Sequence, residues 1–166
     1  MLNLENLKLV IYDFDETLCI HTNRKSGLDI DYDSQVVAGK SAWDTCNPNK
    51  SMKQFIDICK KRGITQGLIS ATLSYQHMHL KNEWVKENYD IELENYCVGH
   101  PEDKIKMLRA LSVGLGLNKD EILIVDDMYS TLSSAANEGF QSATPMEVVN
   151  YIDIYNEGYN EELSRR

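Results

Sequence analysis

Short apolar runs alternate with amphipathic stretches along most of this chain. Leu9, Val10, Ile11 and Tyr12 are four consecutive apolar residues, the pattern of a strand buried on both faces of a parallel sheet. Ile64–Ser70 reads as a second strand, Tyr96–Val98 as a short third, Glu121–Asp127 as a fourth and Phe140–Thr144 as a short fifth. Helical stretches fall between them. Asn49 or Ser51 caps a helix that runs through Lys61 to Gly63, with Met52, Phe55, Ile56 and Cys59 forming an apolar stripe. A long helix is expected over about Leu73–Asn88. Pro101 opens another, which passes Ile105, Leu108 and Leu111 and stops in Gly114 and Gly116. A further helix spans about Ser130–Glu138 before Gly139, and a last one starts near Pro145. Strands and helices in strict alternation predict an α/β fold: a three-layer, Rossmann-like sandwich around a mostly parallel central sheet.

The pattern dissolves between Cys19 and Lys50, where no helix is evident and a short hairpin turning near Ser26 and Gly27 is expected. So long a connection is usually functional or mobile. The tail after Asn156 has no apolar face. The expected organisation is a single domain over residues 1–156, with 19–50 as a short cap or flap insertion and 157–166 as a flexible tail.

The strand ends carry the chemistry. Asp13 and Asp15 close the first strand, Ser70 the second, and Asp126 and Asp127 the fourth. In a parallel sheet these ends share one edge, where open α/β sheets place their ligands. Asp13 and Asp15 taken alone have two readings: a site, or a turn residue followed by a helix cap. Two strands ending in paired acids beside a hydroxyl favour the site, and four carboxylates in one crevice call for a hard cation, with Mg²⁺ the natural choice. Lys104, three residues after Pro101, sits near the same edge and can pair with the acids and with a phosphate. Its plainer reading is a solvated helix lysine.

Composition narrows the class further. With 42% hydrophobic and 26% charged residues the chain is an ordinary globular sequence. No apolar run reaches the roughly 18 residues of a membrane span, and the N-terminus lacks the basic and apolar regions of a secretory signal. Cys19, Cys46, Cys59 and Cys97 have no paired spacing and read as free thiols in a reducing cytoplasm. A net charge of −9 disfavours non-specific attraction to nucleic acid, while leaving room for a strand end held through a metal ion.

DFDET (Asp13–Thr17) resembles the DxDxT signature of the haloacid dehalogenase (HAD) superfamily, whose members are mostly Mg²⁺-dependent phosphatases. LIS ending in Ser70, then Lys104, then IVDD ending in Asp127 follow in that family's order, so the resemblance covers about Lys8–Ala143. It implies a phosphomonoester hydrolase with Asp13 as nucleophile and Asp15 as general acid and base with a raised pKa. Thr17 would steady the turn and orient Asp15, Ser70 would bond a phosphoryl oxygen, and Lys104 would neutralise developing charge. Mg²⁺ would be held by Asp13, the backbone carbonyl of Asp15, and Asp127, with Asp126 as the competing ligand.

The chain departs from the family pattern in three places: Asp126 stands where many relatives have glycine, Thr131 where they have a second acid, and Glu16 where glycine is common. Only the 19–50 insertion is available as a cap, so a minimal cap and an open site are implied. An open site suits a large substrate, or a small phosphorylated metabolite enclosed by a second subunit of a homo-oligomer. Within the insertion, Tyr32 and Trp43 can stack on a sugar or base, and His21, Arg24, Lys25 and Lys40 can meet a second phosphate. Trp43 can equally just anchor the loop. The alternatives to a small-metabolite phosphatase are one acting on a protein or nucleic-acid end, and a catalytically idle HAD-like binding module. His77 and His79, two apart on a helix, do not form a metal pair. His100 reads as a turn residue, and the acids of Asp29–Asp33 as a solvated loop.

Overall fold

Alternating residues of the apolar runs enter two separate cores. The computed structural model describes residues 2, 4–21, 46–72 and 74–153. Its elements in chain order are β1 (Leu9–Tyr12), β2 (Cys19–His21), β3 (Cys46–Pro48), α1 (Lys50–Lys61), β4 (Thr65–Ala71), α2 (Tyr75–Tyr89), β5 (Glu94–Val98), α3 (Asp103–Leu115), β6 (Ile122–Val125), α4 (Tyr129–Asn137) and β7 (Gln141–Ala143). Residues 145–153 are helical. Five strands form one sheet in the order β5-β4-β1-β6-β7, and every adjacent pair is parallel. Val10, Tyr12, Leu123 and Val125 face the core built with α1, α2 and residues 148–152. Leu9, Ile11, Ile122 and Ile124 face the other core, built with α3 and α4. The period of two along β1 and β6 thus makes the sandwich three-layered, as expected.

Boundaries agree with the sequence expectation to within a few residues, and the caps explain most of them. Asn49 accepts a bond from the Ser51 N–H at the start of α1, and Gly63 takes φ +69 just beyond its end. Ser74 caps α2 by accepting from the His77 N–H. One difference lies before β6: Lys119–Glu121 form a 3₁₀ turn rather than the start of a strand, held by the Glu121 carboxylate accepting from the Asn118 N–H at 2.7 Å. A capping motif outcompeted the strand propensity there.

The insertion begins and ends as a two-stranded antiparallel ribbon, with Cys19 opposite Pro48 and His21 opposite Cys46. The expected turn at Ser26 and Gly27, together with Arg24, Lys25, Asp29–Asp33, Tyr32, Lys40 and Trp43, lies outside the described residues, as does the tail 157–166. The base of the insertion is sewn to α2. The buried Tyr89 hydroxyl donates to the Leu18 carbonyl at 2.5 Å and accepts from the Asn49 N–H at 2.9 Å. Asn49 also donates from Nδ2 to the Thr17 carbonyl at 3.1 Å.

Tyr89→Phe removes the hydroxyl but leaves the Asn49 N–H bonded to the Leu18 carbonyl at 3.0 Å. The expected loss is therefore about 1–2 kcal/mol, read as a lowered denaturation midpoint at unchanged slope. An unchanged midpoint would show that the hydroxyl holds nothing.

Candidate active site

Register brings the acids together. Tyr12 is level with Val125, so the next residues of the two strands, Asp13 and Asp126, emerge side by side. The Asp13 N–H donates to the Val125 carbonyl at 2.9 Å and extends the ladder one step beyond β1. Lys104, in the first turn of α3, places its ammonium between them, 2.8 Å from Asp13 Oδ1 and 2.7 Å from Asp126 Oδ2. At 2% exposed it is not the solvated helix lysine of the plainer reading. Asp126 is fully buried, and its second oxygen accepts from the Met128 N–H at 2.8 Å.

Asp15 occupies a second ionic cluster. Its Oδ2 accepts from Lys81 Nζ at 2.6 Å, and its Oδ1 lies 3.0 Å from His21 Nε2. Lys81 also donates to Ser70 Oγ at 2.7 Å and stands 4.9 Å above the Phe14 ring, which packs edge-on against Trp84 at 5.4 Å. Sequence reasoning missed Lys81. The signal was its position: it falls on the stripe of Met78, Trp84 and Val85 that α2 buries, where a lysine needs an anionic partner. His21 had been assigned to a second phosphate, and instead it binds Asp15.

The electrostatics of Asp15 run opposite to the expectation, and those of its neighbour Asp13 differ from both. Burial lifts the Asp13 carboxyl; Lys104 pulls it down, but Asp126 and Asp15 push it up again, and it rests at about 7. Burial also lifts Asp15, but the His21 hydrogen bond and the Lys81 ammonium outweigh it and hold the carboxyl at about 2. The raised pKa expected of Asp15 is therefore not found in the free chain, because two basic side chains grip that carboxylate. Asp127 is raised by burial and by Asp126. Lys104, which burial alone would lower, is raised by Asp13 and Asp126.

The turn between the acids differs in detail from what was expected. Thr17 is fully buried, yet its hydroxyl has no hydrogen-bond partner among the described residues, so it does not orient Asp15 through that group. Its backbone carbonyl, bonded by Asn49, does the fixing. Glu16 adopts φ +55, the left-handed region that costs a non-glycine residue roughly 1–2 kcal/mol. This accounts for the glycine that the resembling family often has at that position. The Glu16 N–H donates to the Cys19 carbonyl at 2.8 Å, and the Leu18 and Cys19 N–H groups both donate to the Phe14 carbonyl.

Asp13, Asp15, Glu16, Ser70, Lys104 and Asp127 line a pocket of about 260 Å³ together with Ala71, Pro101 and Met128. Of the seven residues assigned to catalysis or metal in sequence, Thr17 and Asp126 are absent from its lining. Another cavity, about 310 Å³ beside β7, carries one carboxylate, Glu147, already bonded by Thr144, and no lysine, arginine or histidine beside its Ser142 and Tyr151 hydroxyls. The chemistry lies in the first. One oxygen from each of Asp13, Asp126 and Asp127 falls within 4.8 Å of the others, close enough to share an octahedral cation. Five carboxylates, Asp13, Asp15, Glu16, Asp126 and Asp127, meet two lysines around the pocket, an excess of negative charge that suits a divalent ion. The donor set therefore fits Mg²⁺.

No protein-family model matches the chain, and no curated protein matches it in sequence. Solved structures do. A hypothetical protein from Xanthomonas campestris superposes at TM-score 0.54 and 20% identity over 84% of this chain, which spans 64% of that protein's length. The cobalt-bound deoxy-D-mannose-octulosonate 8-phosphate phosphatase YrbI from Haemophilus influenzae gives TM-score 0.53 at 18% identity, covering 85% of this chain and 70% of that one. A HAD-family enzyme from Bacteroides thetaiotaomicron, in its magnesium complex, gives 0.53 at 14% identity over 85% and 94%. The chain shares a Rossmann-like α/β fold with these structures, a HAD-family enzyme among them.

Proposed function

We propose that this chain is a Mg²⁺-dependent phosphomonoester hydrolase that works through an aspartyl-phosphate on Asp13. The carrying observation is the convergence of Asp13, Asp15, Ser70, Lys104 and Asp127 on one small pocket at the carboxyl edge of the sheet. The magnesium and cobalt complexes of similarly folded enzymes support the metal. Asp13 and Asp127 would hold the ion, with the Asp15 carbonyl as a further oxygen. Asp126 is the weaker ligand, because Lys104 and the Met128 N–H already engage both its oxygens. When bound, Mg²⁺ supplies charge neutralisation and alignment of a phosphoryl oxygen.

The residues then divide the work. An Asp13 oxygen attacks phosphorus, the bond to the ester oxygen breaks, and the departing oxygen takes a proton from Asp15. Asp15 must first be protonated, and a phosphate dianion entering the pocket raises its pKa by like-charge repulsion. Asp15, again a carboxylate, next takes a proton from the water that attacks the aspartyl-phosphate, releasing inorganic phosphate and regenerating Asp13. Lys81 occupies an acceptor lone pair of Ser70, so the Ser70 hydroxyl is left to donate to a phosphoryl oxygen. Lys104 holds Asp13 in place and offsets charge as it builds. The 19–50 insertion, whose base carries His21 against Asp15, is the candidate substrate selector. A small phosphorylated metabolite is the primary substrate class. Exposed Met128 and Tyr129 at the rim favour, as a second reading, a phosphate presented on a protein or nucleic-acid end.

With an aryl phosphate and Mg²⁺, Asp13→Asn is expected to lose more than about 10⁴-fold in kcat and to form no acid-stable, base-labile phosphoenzyme. Hydrolysis persisting in the variant would remove Asp13 as nucleophile, and inactivity of the wild type across sugar phosphates, nucleotides and phosphopeptides would leave a binding module. Chelation by EDTA is expected to abolish turnover reversibly. Asp127→Ala should weaken Mg²⁺ activation about 10-fold or more. Asp126→Ala should instead cost about 3 kcal/mol of stability by stranding Lys104; the opposite order would make Asp126 the metal ligand. Lys81→Met is expected to lower kcat by roughly 100-fold with Mg²⁺ activation unchanged, and a pure KM effect would confine Lys81 to substrate binding.

A further inference from the structure

A second group of side chains of metal-ligating types stands on the β2–β3 ribbon, joined to the carboxylate pocket through the His21–Asp15 contact. Cys19 and His21 are two apart on β2 and share one face of the ribbon. Cys46 lies directly across from His21. One donor atom from each of the three falls within 4.8 Å of the others, and Cys46 Sγ is 3.1 Å from His21 Nδ1. Tetrahedral zinc, with Zn–S near 2.3 Å and Zn–N near 2.0 Å, spaces its donors about 3.5–3.8 Å apart. Side-chain adjustments of under about 1 Å would close these three around an ion.

We propose that Cys19, His21 and Cys46 bind a thiophilic divalent cation, Zn²⁺, through two thiolates and one imidazole nitrogen, the three ligands that the described residues supply. An independent observation fixes the tautomer. The other ring nitrogen of His21, Nε2, lies 3.0 Å from Asp15 Oδ1 and donates its proton there. That leaves the Nδ1 lone pair directed at the sulfurs, the carboxylate–histidine–metal arrangement that orients most histidine ligands. Charge agrees as well, since two thiolates and a neutral imidazole make a neutral site with a divalent ion. Loading releases two thiol protons to solvent and forms two S–Zn bonds and one N–Zn bond, with no change of oxidation state. The two centres sort metals by softness: oxygen ligands for Mg²⁺ at the strand ends, sulfur and nitrogen for zinc on the ribbon.

A Cys19–Cys46 disulfide is the competing use of the same atoms. Cys19 pairs across the ribbon with Pro48, so the two sulfurs meet only diagonally. The metal site stands on its own geometry. Its link to turnover, through the His21–Asp15 bond, rests on the phosphatase reading.

The test uses the full chain, stripped of metal under reducing conditions and held in excess Mg²⁺ to occupy the carboxylates. Zinc is titrated against a chromogenic chelator, and Co²⁺ is added in parallel for its thiolate-to-metal charge-transfer band. Wild type and Asp13→Asn are expected to bind one equivalent with that band. Cys46→Ser and His21→Asn are expected to lose roughly 100-fold or more in affinity. Circular dichroism checks the fold of both, and Cys46, half-buried on the ribbon, is the milder change should the histidine variant unfold. Zinc bound equally well by Cys46→Ser, absence of the cobalt–thiolate band, or a metal-free Cys19–Cys46 disulfide in protein purified without reductant would each overturn the site. Because Asp13→Asn is inactive yet expected to bind zinc, failure of the hydrolase reading and failure of this one are told apart.

Discussion

The ammonium of Lys104, buried between Asp13 and Asp126, is the interaction on which the strand-end crevice depends. Two carboxylates brought side by side by the register of β1 and β6 repel one another where water is scarce. A cation within 2.8 Å of both makes the arrangement tolerable. Removing such a partner from a buried pair typically costs about 3–5 kcal/mol, because the remaining charge is stranded. Lys104 also sets the position of α3, whose first turn must reach the carboxyl edge of the sheet for its side chain to enter. Sheet register, helix placement and site charge are thus one problem with one solution.

The strands and helices were legible because burial on both faces writes continuous apolar runs, as in Leu9–Tyr12 and Ile122–Val125. The convergence of Asp13, Ser70, Lys104 and Asp127 was legible for a related reason: parallel topology sends every strand end to one edge. What sequence reasoning did not reach was the pairing of charges. Lys81 reads as an ordinary helix lysine until its place on the buried face of α2 is noticed, and nothing local connects it to Asp15. The direction of the Asp15 pKa was missed for the same reason, since the basic side chains that hold it low arrive from α2 and the ribbon. Thr17 shows the reverse error: its motif position predicted a hydroxyl contact, whereas the backbone of the turn supplies the anchor.

Asp15 therefore belongs to two neighbourhoods at once. Through the pocket it faces the position of a substrate, and through His21 it touches the ribbon that begins and ends the insertion. Any displacement of the ribbon shifts the imidazole against that carboxylate. The geometry makes the ribbon more than a support for the segment it carries: it is joined directly to a carboxylate of the pocket.

The Tyr89 and Asn49 contacts have a consequence for how this fold can change. They clamp the two ends of the inserted segment, Leu18 and Asn49, to each other and to a core helix. The chain between is then a closed loop whose ends are held by the scaffold. The entropy of closing such a loop grows only with the logarithm of its length, about 0.6 kcal/mol per doubling. Lengthening, shortening or replacing the segment is therefore a small perturbation to the domain beneath. New sequences can be tried between fixed ends while the strand-end carboxylates stay where they are, much as a tool head is exchanged on a fixed shank.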